Sequence, residues 1–352
     1  MSEALRKKLE ASAQSLGFDR FGVAEVTPLV RESEALHAWL REGHHASMAW
    51  MERNVEVRAQ IDHEMLHPEA KSVIALAVSV ARLNEGDIGP APGVVARYAR
   101  GRDYHNVMGK RAQKLAALLR DAGFTARSTV DTAPVLERAW AERAGLGFVG
   151  KNTMLIIPGL GSHVMLACVV TNAVLPHDAP IGERCGSCTR CLDRCPTQAF
   201  PSERVLDSRR CVSYLTIEHE GPVEESLREG IGHWFLGCDV CQDVCPFNQT
   251  KHVALGMAKE LAPHPRWNTS AEQILRMSEA DFDTFSMGSP VRRPGYASAL
   301  RNAAIVLGNA GQKTHLRVLD EVAVGHADEV VREAAGWGRE RLKQRLGDPE
   351  SG

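Results

Sequence analysis

Cys185-x2-Cys188-x2-Cys191-x3-Cys195-Pro196 decides the centre of this chain. Three thiolates spaced in this way grip one iron–sulfur cube, and the fourth, ahead of a proline, reaches across to a second cube. A second run, Cys238-x2-Cys241-x3-Cys245-Pro246, repeats the spacing with Phe235 where its first cysteine would fall. Cys211 is the remaining thiol nearby and is assigned as the missing ligand. The thiols then suffice for two [4Fe–4S] clusters. Crossing the fourth ligands gives Cys185, Cys188, Cys191 and Cys245 to one cluster. Cys195, Cys211, Cys238 and Cys241 go to the other. Such a chain moves electrons one at a time.

Zinc also uses paired C-x2-C motifs, but a three-step ladder closed by Cys-Pro is not the spacing of its four-ligand sites. Disulfides are set aside because the intervals are short and suit soft thiolate ligation. The ninth cysteine, Cys168, lies in the apolar run 164–170 and reads as a small buried hydrophobe.

The 352 residues allow two or three domains and a large core. A net charge of -2 gives no global basic field, so any nucleic-acid contact must come from a local patch. The first residues, Met1-Ser2-Glu3-Ala4-Leu5-Arg6-Lys7-Lys8-Leu9, are charged and helix-prone, unlike a secretory signal. The longest apolar stretch, 73–81, is too short to cross a bilayer. A cytoplasmic protein is expected.

Residues 1–175 read as an α/β domain. A helix over 4–16 stops at Gly17, and strands are expected over 18–26, 73–80 and 163–174. A helix over 103–122 carries the apolar stripe Met108, Ala112, Leu115 and Leu119, with Asp103 as its cap. A strand over 125–130 delivers Asp131 to an expected helix start. A ferredoxin-like domain is placed at 176–255 and an all-α module at 256–352, after a polar, proline-rich linker. In the module, Leu300-Arg301-Asn302-Ala303-Ala304 recurs as Val331-Arg332-Glu333-Ala334-Ala335. That offset suits a two-helix, HEAT-like unit, which must lean on the rest of the chain.

Three further motifs occur in order: Tyr98-Ala99-Arg100-Gly101-Arg102-Asp103-Tyr104-His105, Val130-Asp131-Thr132-Ala133-Pro134-Val135-Leu136-Glu137 and Gly147-Phe148-Val149-Gly150-Lys151-Asn152-Thr153. With the cysteine runs, they make the chain resemble the epoxyqueuosine reductases over nearly its full length. The resemblance implies a cobalamin in the N-terminal domain, held base-off without a protein axial ligand and close to one cluster. It implies an epoxide-bearing base at the wobble position of tRNAs for Asp, Asn, His and Tyr codons. A small flavodoxin or ferredoxin as donor and a monomeric chain are also expected.

The resemblance further implies that Asp131 gives a proton to the leaving epoxide oxygen. An Asp at a helix start is ordinarily a cap with a lowered pKa, so that role requires desolvation to raise it. Lys151 and Asn152 are expected beside the corrin, with Arg58, Tyr98, Arg100 and Tyr104 as further pocket residues. Ser213 and Asp239, next to cluster cysteines, should face it too. His105 sits in a near-match to the D-x-H-x-x-G cobalt-ligand signature, with one residue too many before Gly109, and is read as a pocket or surface residue. Arg292, Arg293 and Arg301 are expected on tRNA phosphates and Tyr296 stacked on a base. A bare electron carrier would not need the long N-terminal domain. A reductive dehalogenase on a small organic substrate would have no use for the helical tail.

Overall fold

The computed structural model describes residues 2–80, 93–249 and 256–347. Its N-terminal half runs α1 (Ser2–Ser15), β1 (Arg20–Glu25), β2 (Ser72–Ser79), α2 (Tyr104–Asp121), β3 (Ala126–Thr129), α3 (Glu137–Arg143) and β4 (Val164–Thr171). The strands form one sheet in the order β1-β2-β4-β3. Every pairing is antiparallel, so the domain is α+β.

The alternation of β2 explains the layering. Ile74, Leu76 and Val78 pack with Leu9 of α1 and Met108, Leu115 and Leu119 of α2. Val73, Ala75 and Ala77 point to the other face, against Ala139 and Trp140 of α3. All eight residues of β2 are buried, the signature of a strand covered on both sides. Each fully buried leucine contributes about 1.5–3 kcal/mol. Cys168 is wholly buried in the α3-side core, as its apolar run predicts.

α2 and β3 form a helix-then-strand return. The start of α2 therefore lies near the end of β3, and that juxtaposition builds the site. Asp103 caps α2 as expected, accepting from the His105 backbone N–H at 2.9 Å. The expected helix at Asp131 is corrected. Residues 131–136 are irregular and α3 begins at Glu137. Ala133 precedes Pro134, which disfavours helical backbone there.

The cluster segment does not stand apart. Val94–Val95 pairs in parallel with Trp234–Leu236. One apolar core joins Val212, Leu215, Ile231 and Phe235 to the C-terminal helices α4 (Gly295–Ala310), α5 (Leu316–Gly325) and α6 (Glu329–Leu346). The boundary expected at 255 thus divides a shared core, although residues 250–255 lie outside the described residues. The first repeated segment is the buried centre of α4, and the second lies in the first turns of α6, where Val331, Ala334 and Ala335 are buried. A Cβ on Gly308 would stand 2.7 Å from the Gly338 Cα, so these helices approach backbone to backbone. Among the described residues no helix is long and apolar enough to cross a membrane.

Arg301 is corrected as a phosphate contact. It is fully buried, and its guanidinium donates to the carbonyls of Leu215 (2.7 Å), His219 (2.8 Å) and Gly221 (2.6 Å). Asn302 beside it donates to the Thr216 and Phe235 carbonyls at 2.8 and 3.1 Å. The pair clamps α4 to the helix Val212–Ile217, which follows Cys211. Truncating Arg301 strands several buried carbonyls, each costing about 1–3 kcal/mol. R301A should therefore lower the urea midpoint by several kcal/mol equivalent. The salt dependence of tRNA binding by the folded fraction should not change.

Candidate active site and cluster ligands

The two cysteine runs fold as a pair of short helices, Arg190–Asp193 and Val240–Asp243. Cys185, Cys188, Cys191 and Cys245 line one cavity of about 190 Å³. The second quartet is equally close-knit. The Cys241 thiol feels Cys211, Cys238 and Cys195, in that order, and then Cys191 of the first quartet. Cys195, Cys211, Cys238 and Cys241 thus lie within electrostatic reach of one another, apart from the cavity that Cys185, Cys188, Cys191 and Cys245 line. Phe235, at the vacant cysteine position, is buried in the core, and Cys211 enters from the neighbouring segment instead.

Burial raises the thiols of Cys185, Cys191, Cys211, Cys238, Cys241 and Cys245. As free groups they stay protonated, so metal loading must release protons. Backbone N–H groups already point at several sulfurs. Ala199 N–H lies 3.3 Å from Cys195 Sγ. Those of Ser213 and Tyr214 face Cys211. The donor set and cavity fit cubane clusters.

The second centre is the loop after β3. Asp131 turns it with φ +56°, a left-handed conformation costing a non-glycine residue about 1–2 kcal/mol. Its backbone N–H donates to Glu137 Oε1 at 2.8 Å. Its Oδ2 accepts from the Tyr104 hydroxyl at 3.1 Å and lies 3.1 Å from His105 Nε2. His105 Nδ1 is 2.7 Å from Asp103 Oδ1. The Asp131 side chain remains 62% exposed, open to an incoming group.

The electrostatics differ from expectation. The His105 hydrogen bond, foremost, holds Asp131 below the usual carboxylate value despite burial, and the imidazole charge and the Tyr104 hydroxyl add to it. The desolvation that would raise Asp131 is outweighed. Burial pulls His105 down, but its bonds to Asp103 and Asp131 lift it to about 9. Burial pushes Glu137 up to about 8. Burial, then the Asp131 charge, raises the Tyr104 hydroxyl, so it stays a donor.

Several expected residues gather here. Tyr98 packs edge-on to Tyr104, with ring centroids 6.2 Å apart, and feels the charges of Asp239 and Asp131. Arg58 lies over Trp50, feels Asp131, and keeps a buried Nε without a hydrogen-bond partner. Asp239 is buried and accepts from the Arg97 backbone N–H at 2.8 Å. Ser213 borders Cys211.

Others move. Lys151 and Asn152 line the cavity of Cys185, Cys188, Cys191 and Cys245. The Asn152 amide donates to the Cys241 carbonyl at 3.3 Å, and Lys151 Nζ pairs with Glu203 at 2.8 Å. Arg100 is buried, with Nε donating to the Val95 carbonyl at 2.6 Å and a buried Nη1 without a hydrogen-bond partner. Tyr296 is corrected as a base-stacking residue. Its hydroxyl donates to the Met277 carbonyl at 2.8 Å, and its ring packs between Phe282 and His326. Arg292 and Arg293 are exposed, and Arg293 forms a two-pronged pair with Glu218 at 2.9 and 2.8 Å. Arg293 also feels Asp131 and Tyr104, so it borders the pocket.

Glu137 and Arg97 were not singled out from sequence. Glu137 stands inside a quoted motif, but only the fold shows it gripping the Asp131 loop. The ligand sets predict a separable loss. C185S should halve the iron and sulfide of anaerobically reconstituted protein, and C211S should do likewise. Double loss of C185S and C211S should remove both clusters, as measured by iron, sulfide and absorption spectra.

The described geometry matches known proteins. Residues 184–248 match the "4Fe-4S double cluster binding domain" family, and residues 58–132 match "Epoxyqueuosine reductase QueG, DUF1730". The epoxyqueuosine reductase of Xanthomonas campestris pv. campestris is 39% identical, covering 94% of each chain. That of Pseudomonas aeruginosa is 38% identical over 96% of this chain and 94% of its own. A crystal structure of epoxyqueuosine reductase with a tRNA-Tyr epoxyqueuosine-modified stem loop superposes with a TM-score of 0.88 at 31% identity. It covers 96% of this chain and 90% of its own. A Bacillus subtilis epoxyqueuosine reductase whose catalytic aspartate loop is swung out of the active site gives 0.87 at 30% identity, with the same coverage. Relatedness of this depth along nearly the whole chain makes the protein a member of the epoxyqueuosine reductase family.

Proposed function

We propose that this chain reduces epoxyqueuosine to queuosine at the wobble position of tRNA, the last step in making that base. The observation that carries the reading is the Asp131 pocket, an open carboxylate beside the inner cluster ligands in a chain of this family. Removing the epoxide oxygen takes two electrons and two protons, and the oxygen leaves as water. The two cysteine sets would hold clusters that supply single electrons, and a corrin beside Asp131 would supply low-valent cobalt to reduce the epoxide carbon.

The residues fit a corrin on the Asp131 side. Arg58 keeps a buried Nε awaiting an acceptor, and corrin side chains carry amide oxygens. Tyr98, Tyr104 and Asp131 would complete that wall, with Ser213 and Asp239 on the side of the inner cluster. His105 offers cobalt no free nitrogen, because both ring nitrogens face carboxylates. This supports binding without His105 as a ligand to cobalt.

The protein's own groups orient and protonate. Glu137 fixes the strained Asp131 backbone, while Tyr104 fixes its carboxylate. Arg292 and Arg293 flank the mouth and attract phosphates, and Glu218 must release Arg293 for a phosphate to take its place. The two-helix HEAT-like tail backs this surface through the Arg301 clamp. The enzyme works as a cytoplasmic monomer supplied by a small flavodoxin or ferredoxin.

Three tests follow this scheme. D131N should lose turnover of epoxyqueuosine tRNA by about 10²-fold or more while cluster spectra persist. Near-normal turnover would remove Asp131 from the mechanism. Added cobalamin should give a cob(II)alamin EPR signal without nitrogen superhyperfine splitting. R292Q/R293Q should weaken tRNA binding and reduce the salt slope by about 2.

A further inference from the structure

We propose that Asp103, His105 and Asp131 form a proton relay in which His105 stores the proton that Asp131 hands to the leaving oxygen. The proposal rests on the reading of this chain as an epoxide-deoxygenating reductase.

The geometry is a single file. Asp103 Oδ1 lies 2.7 Å from His105 Nδ1, and His105 Nε2 lies 3.1 Å from Asp131 Oδ2. Carboxylates only accept, whereas a neutral imidazole donates from one nitrogen alone. A neutral ring would aim a lone pair at one carboxylate. A ring protonated on both nitrogens satisfies both contacts. The ring is also fixed in plane, stacked on Tyr104 with centroids 4.0 Å apart. Its side chain is 32% exposed, which gives water access for reprotonation.

Asp131 cannot be the reservoir. Its hydrogen bonds favour the anion and hold it below the ordinary carboxylate range. The other charges around the array agree. On the helix of His105, Asp103 and the Tyr104 hydroxyl flank the ring. Across from it, Arg138 on α3 and Arg58 add positive charge near Asp131, and Arg293 borders the pocket. Glu137 is a further carboxyl nearby, and burial favours its neutral form. Burial opposes a charged His105, yet the two carboxylates prevail and leave it titrating at about 9.

The step balances. Both C–O bonds of the epoxide break and a C=C bond forms, using two electrons supplied singly by an electron-carrier protein. The proton on His105 Nε2 crosses to Asp131 Oδ2, and the carboxyl so formed donates to the departing oxygen. The neutral imidazole takes a second proton from water and passes it along the same path. The oxygen leaves as water.

Single-turnover rates of pre-reduced holoenzyme on epoxyqueuosine tRNA, measured against pH, test the relay. Activity needing the imidazolium is complete well below the folded value and lost as pH rises through about 9. H105Q should lower the rate by about 10²-fold or more and abolish that alkaline limb. Its tRNA Kd and cluster spectra should not change. H105A should regain rate with added imidazole. D103N, which keeps a capping oxygen, should move the limb toward the ordinary histidine value of about 6.5. A histidine-ring NMR titration of the reconstituted protein should show the same displacement without any turnover. The relay is overturned by a near-wild-type rate in H105Q, or by a ring titration that D103N leaves in place. Wild-type protein that leaves the epoxide intact at every pH would sink the functional reading, and the ring titration would still judge the relay.

Discussion

The carboxylate of Asp239 holds the two chemical centres together. It follows Cys238 in the chain, and it is buried while accepting the backbone N–H of Arg97 at 2.8 Å. The next residue, Tyr98, packs against Tyr104, whose hydroxyl donates to Asp131. A cluster ligand and the candidate acid are thus joined through two hydrogen bonds and two aromatic rings. The parallel pairing of Val94–Val95 with Trp234–Leu236 fixes the register of that connection. Arg97 also pairs with Asp243, so one arginine spans both acidic residues of the Cys238–Cys245 run. Loosening this clasp would separate the inner cluster from the pocket without touching either.

At Asp131, position and acidity pull in different directions. The left-handed backbone projects the carboxylate outward, and Glu137 repays part of that strain through the backbone N–H. The same hydrogen bonds that aim the carboxylate also favour its anion. A group that is well placed but already ionised needs a proton from elsewhere, and the adjacent imidazole carries one. Separating reach from storage lets a surface-exposed loop carry the reacting carboxylate while the proton stays on a rigid helix end.

Local chemistry was legible in the sequence where spacing alone determines it. The cysteine ladders, the Asp103 cap, the α2 stripe and the strand cores all depend on neighbours a few residues away. Asp131 also stood out, but its conformation did not, because Pro134 reads equally as a helix first turn or as a loop. Arg301 and Arg293 look alike in a basic stretch. Only the fold buries one among the carbonyls of 215–221 and leaves the other at the surface. Lys151 and Asn152 belong to a glycine-led turn suited to any close approach. Which cofactor it approaches depends on how Phe148–Val149 and Leu155–Ile156 pair, a long-range outcome.

The two thiol quartets sit in unlike surroundings. Cys185, Cys188 and Cys191 line a cavity with the exposed residues Arg184 and Arg190 at its edge. Cys238 and Cys241 are more strongly desolvated, and their thiols are pushed furthest from ionisation. Burial alone makes added negative charge on a cluster costlier, which would strand electrons on the outer site. Hydrogen bonds to the sulfurs work against this. The N–H groups of Val240, Ser213 and Tyr214 aim at Cys238 and Cys211. Backbone N–H groups face the outer sulfurs as well, those of Lys151 at Cys185 and of Phe247 and Asn248 at Cys245, so the inner site differs by its deeper burial. Clusters held by these two sets would supply single electrons from an arginine-edged outer site and from a more deeply buried inner one, whose ligand Cys238 is one residue away from the Asp239 clasp.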